Sequence, residues 1–177
     1  CPNHKKRESG CQIMKADRTG STYGEPIAVE IKTIDSLDVV GHPTLSSDEL
    51  KLIFASERRN GIGGKDLWIS ERESKSEEFG RPRNLSAIVN TEGDELYPFM
   101  RNDSTLYFAS DGHGGMGGLD IFVTTLDSLG EWTTPVNLKS PINSIGNDYG
   151  ITFHPNEERG FFISNRDVRN GLDDDIY

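Results

Sequence analysis

The chain is poor in the features that mark the commoner catalytic and membrane classes. No apolar run approaches the roughly 20 residues of a bilayer-spanning helix. The opening Cys1-Pro2-Asn3-His4-Lys5-Lys6-Arg7 has no apolar core behind it, so it does not read as a secretory leader. Hydrophobic residues make up only 33% of 177, too few for long amphipathic helices but enough for one domain with a core. Basic residues are outnumbered, 19 against 29 acids, and the net charge of −10 argues against nucleic acid or an anionic membrane as the main partner. The four histidines His4, His42, His113 and His154 have no partner at zinc-binding spacing. No Gly-x-Ser-x-Gly elbow occurs. Cysteine is scarce as well. Cys1 and Cys11 could pair in an oxidising compartment, Cys1 could be a lipidated mature terminus, or both could be free thiols, and spacing leaves all three open.

What the chain has is glycine, 19 residues, and an internal repeat. Phe54-Ala55-Ser56 returns as Phe108-Ala109-Ser110 and as Phe162-Ile163-Ser164, with steps of 108 − 54 = 54 and 162 − 108 = 54. Asp66-Leu67-Trp68 becomes Asp120-Ile121-Phe122 and then Asp175-Ile176-Tyr177. Pro82-Arg83-Asn84-Leu85 becomes Pro135-Val136-Asn137-Leu138. Several landmarks recurring in one order at this spacing predict an all-β chain of β-propeller blades, each of four antiparallel strands.

In the central copy the expected strands are Tyr97 to Met100, Thr105 to Ser110, Leu119 to Leu126 and Trp132 to Leu138. In the first copy they are Pro43 to Leu45, Leu52 to Ser56, Asp66 to Ser70 and Phe79 to Leu85. Residues 11 to 29 parallel Ile121 to Pro135 and read as the end of a preceding copy. The expected organisation is an irregular tail over 1–10, the end of a blade over 11–41, blades over 42–90 and 96–143, and the start of a blade over 148–177. A length of 177 over a period of 54 gives about three repeats, and propellers close with about four to eight. The sequence is therefore expected to be part of a larger propeller.

The residues also carry a family likeness. Tyr97-Pro98-Phe99, Leu106-Tyr107-Phe108-Ala109-Ser110-Asp111-Gly112, Gly117-Gly118-Leu119-Asp120-Ile121-Phe122 and Trp132 to Leu138 resemble the WD40-like PD40 repeat of TolB-type propellers. With Asn143-Ser144, Asn147-Asp148-Tyr149 and Asp173-Asp174-Asp175-Ile176-Tyr177, they look like one branch in particular. Its members are bacterial cell-envelope proteins joining helical TPR repeats, a PD40 propeller and an OmpA-like peptidoglycan-binding domain, some of them in type IX secretion. The resemblance implies a periplasmic, outer-membrane-associated scaffold whose partners are envelope proteins. It implies contact with peptidoglycan only through a domain outside this sequence.

Repetition filters the candidate chemistry. Asp66, Asp120 and Asp175 look catalytic singly, but a catalytic pair needs two acids in unequal surroundings. Acids that repeat are expected to fix loops by accepting backbone N–H hydrogen bonds. Asp94-Glu95 and Asn147-Asp148 lie where propeller glycosidases keep acids, and a glycosidase or a peptidase-associated propeller is the alternative to a binding scaffold. They repeat too, and read as turn formers. The Gly112 to Gly118 loop has no helix behind it and no closing Lys-Ser/Thr, so a phosphate cradle is not expected. Asp173-Asp174-Asp175 with Asp167 offers oxygens to calcium without EF-hand spacing, and no cofactor is expected. Residues that break the repeat remain. Arg58, Arg59, His113, Arg166 and Arg169 fall in one variable loop class and are the candidate partner-binding residues.

Overall fold

A computed structural model describes residues 10–34, 38–167 and 173–177. Among them there is no helix, and every strand pairing in the named sheets is antiparallel. One four-stranded sheet runs in the order β5 (Val40–Leu45), β6 (Lys51–Ser56), β7 (Asp66–Glu71), β8 (Arg83–Asn84). A second runs β9 (Glu95–Asn102), β10 (Thr105–Ser110), β11 (Asp120–Thr125), β12 (Val136–Asn137). A three-stranded sheet follows, β13 (Asp148–Phe153), β14 (Gly160–Ser164), β15 (Asp175–Ile176). Ahead of them lie two short hairpins, β1 (Met14–Lys15) with β4 (Ile27–Ala28) and β2 (Arg18–Thr19) with β3 (Thr22–Tyr23).

The repeat holds at the level of register. Phe54 faces Trp68 across β6–β7 and Phe108 faces Phe122 across β10–β11, with Ser56 opposite Asp66, Ser110 opposite Asp120 and Ser164 opposite Asp175. Each first strand carries a bulge at the same place, where two residues (42–43, 97–98 and 150–151) oppose one on the second strand. The first bulged residue has positive φ each time: His42 at 50°, Tyr97 at 50° and Gly150 at 64°. Only Gly150 adopts it without steric cost. Residues 13–29 are third and fourth strands of the same unit, since Val29 N donates to Ile13 O as Leu85 N does to Leu67 O and Leu138 N to Ile121 O.

The sheets stack face to face, β9 packing against β5, β6 and β7 and β13 against β9, β10 and β11. This explains why second and third strands are buried on both faces rather than alternating. Leu52, Phe54 and Trp68 point back to Ile13 and Ile31, while Ile53, Leu67 and Ile69 point forward to Leu106, Phe108 and Phe122.

Two expectations change. First strands are longer than the sequence suggests, Val40–Leu45 and Glu95–Asn102, because pairing continues through the bulge. Fourth strands are much shorter than Phe79 to Leu85 and Trp132 to Leu138, only Arg83–Asn84 and Val136–Asn137. Pro82 and Pro135 bring no N–H to the ladder, so pairing begins only after them.

Glycines set how closely the units approach. A Cβ on Gly63 would lie 2.2 Å from Thr91 O, and one on Gly117 would lie 2.0 Å from Gly146 O. Gly114, in the same loop as Gly117, would meet nothing within 4 Å. Gly117→Ala is therefore expected to lower unfolding free energy by roughly 1–3 kcal/mol, as overpacking against backbone does. Gly114→Ala should stay within about 0.5 kcal/mol of the parent in urea melts.

Candidate functional site

The loops between second and third strands meet the connectors into the next first strand, and this is where the candidate residues gather. A backbone bridge joins the units there. Val40 N donates to Cys11 O at 3.1 Å, Glu95 N to Lys65 O at 2.6 Å and Asp148 N to Leu119 O at 2.7 Å. The acceptors Cys11, Lys65 and Leu119 step by 65 − 11 = 54 and 119 − 65 = 54. Cys11 is disulfide-bonded, and Cys1 lies outside the described residues.

The repeated aspartates hold the loops from within. Asp66 is fully buried and accepts from Ile62 N, from Gly63 N at 3.2 Å and from Asn84 Nδ2 at 2.8 Å. Asp120, equally buried, accepts from Met116 N and from Gly117 N at 3.3 Å, while its Oδ1 has no hydrogen-bond partner. Asp175 sits opposite Ser164, and the loop that corresponds to those of Asp66 and Asp120 falls outside the described residues. Glycine is needed beneath these carboxylates, because a Cβ on Gly61 or Gly115 would run into Asp66 or Asp120.

Glu95 and Asp148 are also fully buried. Glu95 accepts from Thr91 N at 2.8 Å, Thr91 Oγ1 at 2.6 Å and Ser110 Oγ at 2.7 Å. Asp148 accepts from Ser144 N at 2.6 Å and Ser144 Oγ at 2.8 Å, and pairs with Arg166 Nη2 at 2.7 Å. Both carboxylates are occupied in closing the turns that lead into β9 and β13.

Three of the variable-loop side chains, Arg58, His113 and Arg166, turn out to share one role. Arg58 lies over Trp68 at 5.4 Å and donates to Thr33 O at 2.9 Å. His113 packs on Phe122 at 5.1 Å and its Nε2 donates to Val89 O at 2.8 Å. Arg166 lies over Tyr177 at 4.8 Å and donates to Ile142 O and, at 2.8 Å, to Pro141 O. Trp68, Phe122 and Tyr177 are one repeat position. So are Thr33, Val89 and Ile142, each four residues past the landmarks Val29, Leu85 and Leu138. Each pin fastens one unit to the connector of the unit before it. Arg58 also meets Asp38 at 3.7 Å. Arg59 is exposed, and Arg169 lies outside the described residues. The repeat therefore includes these positions in function while varying in residue type.

Sequence reasoning missed Asn90 and gave Asn143, one of the residues of the family likeness, no structural role. Both are buried, and each replaces a strand. Asn90 accepts from Leu67 N at 2.8 Å and donates to Leu67 O at 3.0 Å and Asn84 Oδ1 at 2.8 Å. Asn143 does the same with Ile121 N at 2.8 Å, Ile121 O at 2.8 Å and Asn137 Oδ1 at 2.9 Å. A carboxamide offers one acceptor and two donors, the set a β-ladder would supply. Their spacing, 143 − 90 = 53, equals that of Asn84 and Asn137 and was the available signal.

On the first strands, His42 stacks on Tyr97 at 4.0 Å and Tyr97 on Tyr149 at 4.7 Å. Tyr97 N donates to His42 Nδ1 at 3.4 Å. Burial and then the nearby Lys65 charge lower the His42 pKa. Burial raises the Tyr149 pKa, and Asp174, hydrogen-bonded to it, raises it further. Burial followed by the Asp174 charge does the same to Tyr97. Among the described residues no three His, Cys, Asp or Glu side chains are grouped to hold a metal ion. Asp174 spends its carboxylate on Tyr149.

Comparison with known protein families finds no match, and neither does comparison with curated proteins.

Two outcomes follow from this geometry. Asn143→Ala leaves Ile121 N–H buried without a partner, while Ile121 C=O keeps Leu138 N, and is expected to cost roughly 1–3 kcal/mol in denaturant unfolding. His42 is held neutral in the fold, so its contribution is intact above the unfolded histidine range near ~6.5 and is lost as pH falls through the lowered folded value. His42→Asn, which suits positive φ, should flatten that part of the stability profile below the ordinary histidine range. An unchanged slope would show that His42 does not set it.

Proposed function

We propose that the chain is part of a β-propeller serving as a non-enzymatic protein-interaction scaffold in the bacterial cell envelope. The observation that carries this reading is the pair of loop tips built on Asp66 and Asp120. Their backbone N–H groups are locked inward, and their apolar side chains Ile62 and Met116 stand 41% and 47% exposed. Rigid apolar tips at repeat-equivalent positions suit a protein partner, because a preorganised surface loses little entropy on binding. Ile145, 82% exposed on the connector that touches Gly117, extends the same face. Among the expected contact residues, Arg59 belongs to this exposed rim, while Arg58, His113 and Arg166 hold the units together.

Three further points support the reading. Four-stranded antiparallel sheets stacked by their faces, with longer first strands and abbreviated fourth strands, fit blades around an axis. The carboxylates of Glu95 and Asp148 close turns, which favours a scaffold over a glycosidase. A disulfide at Cys11 fits an oxidising compartment such as the periplasm.

The test is capture from envelope extract with the parent chain and with Ile62→Asp/Met116→Asp. Both chains should unfold at similar temperature, since the two side chains are exposed. The parent should retain a specific envelope protein that the double variant loses by about tenfold or more, the scale of a lost apolar anchor. Equal retention by both would remove this face from consideration. Hydrolysis of cell-wall glycans that vanishes in Glu95→Gln but survives in a variant equally destabilised elsewhere would establish the enzymatic alternative.

A further inference from the structure

The face of β5–β7 that looks toward β1 is covered differently from the corresponding face of β9–β11. Between the two four-stranded sheets, Met100 and Leu106 are met by Ile53 and Ala55 of a second strand. Leu45 and Leu52 hold the equivalent positions one unit earlier, 100 − 45 = 55 and 106 − 52 = 54. Met100 is 7% exposed but Leu45 is 43% exposed. In front of Leu45 lies a cleft of about 740 Å³, lined by Ile13, Met14, Ile27, Leu45 and Leu52 with a charged rim.

β1 supplies a free edge beside this cleft. It pairs with β4 alone among the described residues. Ile13 O is spent on Val29 N, so by the alternation of a strand the N–H and C=O of Met14 point to the unpaired side. The strands equivalent to β1 are β7 and β11, and each has a second strand on that edge. The register is fixed by equivalence. Phe54 faces Trp68 and Phe108 faces Phe122, and Met14 holds the position of Trp68 and Phe122.

From this we infer that β1 and its cleft form a docking site for a β-hairpin of the first-and-second-strand type of this same repeat. Its second strand adds to the β1 edge with a phenylalanine opposite Met14 and a small apolar residue opposite Ile13. Its alternate side chains enter the cleft and cover Leu45. Backbone pairing supplies affinity and the alternating apolar positions supply selectivity. The rim sets Lys15, Arg72 and Lys75 against Asp17, Glu30, Glu49, Glu77 and Glu78, a balance of 3 − 5 = −2, so charge alone disfavours only strongly acidic hairpins. The inference rests on the repeat equivalence used in the proposed function, though not on the loop-tip face.

The probe is a synthetic peptide with the sequence of residues 95–110, a complete first-and-second-strand hairpin, added to the full chain. Amide hydrogen exchange at Met14 should slow by about tenfold or more at saturating peptide, as pairing of an open edge requires. A peptide carrying the Phe108→Asp change should give no slowing. Parent chain with Met14→Pro, which removes the edge donor, should fail to bind peptide while keeping the exchange protection of β6 and β10. No slowing at Met14 with the unmodified peptide overturns the inference, as does equal slowing by the Asp peptide. Failure of envelope capture with Met14 protection intact would sink the loop-tip reading alone, and the reverse result would sink only this one.

Discussion

The stacking of the units depends on one backbone hydrogen bond made three times. A first-strand N–H reaches the carbonyl just ahead of the preceding third strand: Val40 to Cys11, Glu95 to Lys65 and Asp148 to Leu119. A net hydrogen bond contributes only about 1 kcal/mol, but leaving one unmade in a buried joint costs more. The neighbouring residues serve that joint. Lys65 N and Leu119 N each donate to the next connector, to Asp94 Oδ1 at 2.7 Å and Asn147 Oδ1 at 2.9 Å. Gly63 and Gly117 leave out the side chain that would hold the connectors apart. The side chains at 58, 113 and 166 reach across the same joint from outside.

Polar groups inside so many interfaces could be a weakness, since an unpaired one is expensive. Here they come in closed circuits. Asn90 and Asn143 take the ladder positions that the short fourth strands leave open, and Asn84 and Asn137 relay to them. Glu95 is buried with three hydrogen-bond donors around it, and Asp148 with Ser144 and Arg166. Serine at 56, 110 and 164 is fully buried in each unit for the same reason. Such networks fix a unique arrangement when every member is satisfied. Asp120 Oδ1 is the single exception among the buried side-chain atoms of the described residues.

Much of this was legible before any coordinates, and the rest was hidden for identifiable reasons. The period of 54 locates the strand pairs because Phe-Ala-Ser and Asp-apolar-aromatic mark adjacent, equivalent strands. The fourth strands were overdrawn because β-rich composition around Trp132 and Phe79 says nothing about which N–H groups find a ladder partner. Asn90 escaped notice because a buried amide standing in for a strand looks, in sequence, like an ordinary turn residue. The variable loops misled in a subtler way. Arg58 and Arg166 each lie two residues past the serine of Phe-x-Ser, but His113 lies three past Ser110 and differs in type, so the position reads as freed from the repeat. Yet their partners Trp68, Phe122 and Tyr177 are all aromatic at one repeat position, and an aromatic facing an arginine or histidine in each unit was the clue to a shared task. Of the variable-loop residues, Arg59, Ile62 and Met116 are left exposed at the tips rather than spent on the joint.

The central claim is that these inter-unit hydrogen bonds, and not the individual sheets, hold the fold as one cooperative body. Native-state hydrogen exchange at the amides of Glu95 and Asp148 tests it most directly. Both should exchange only through global unfolding, with the same free energy as the central amides of β6 and β10. Exchange at Glu95 or Asp148 as fast as at Gly114, while β6 and β10 stay protected, would show that the units open independently and that the joint is not what the structure rests on.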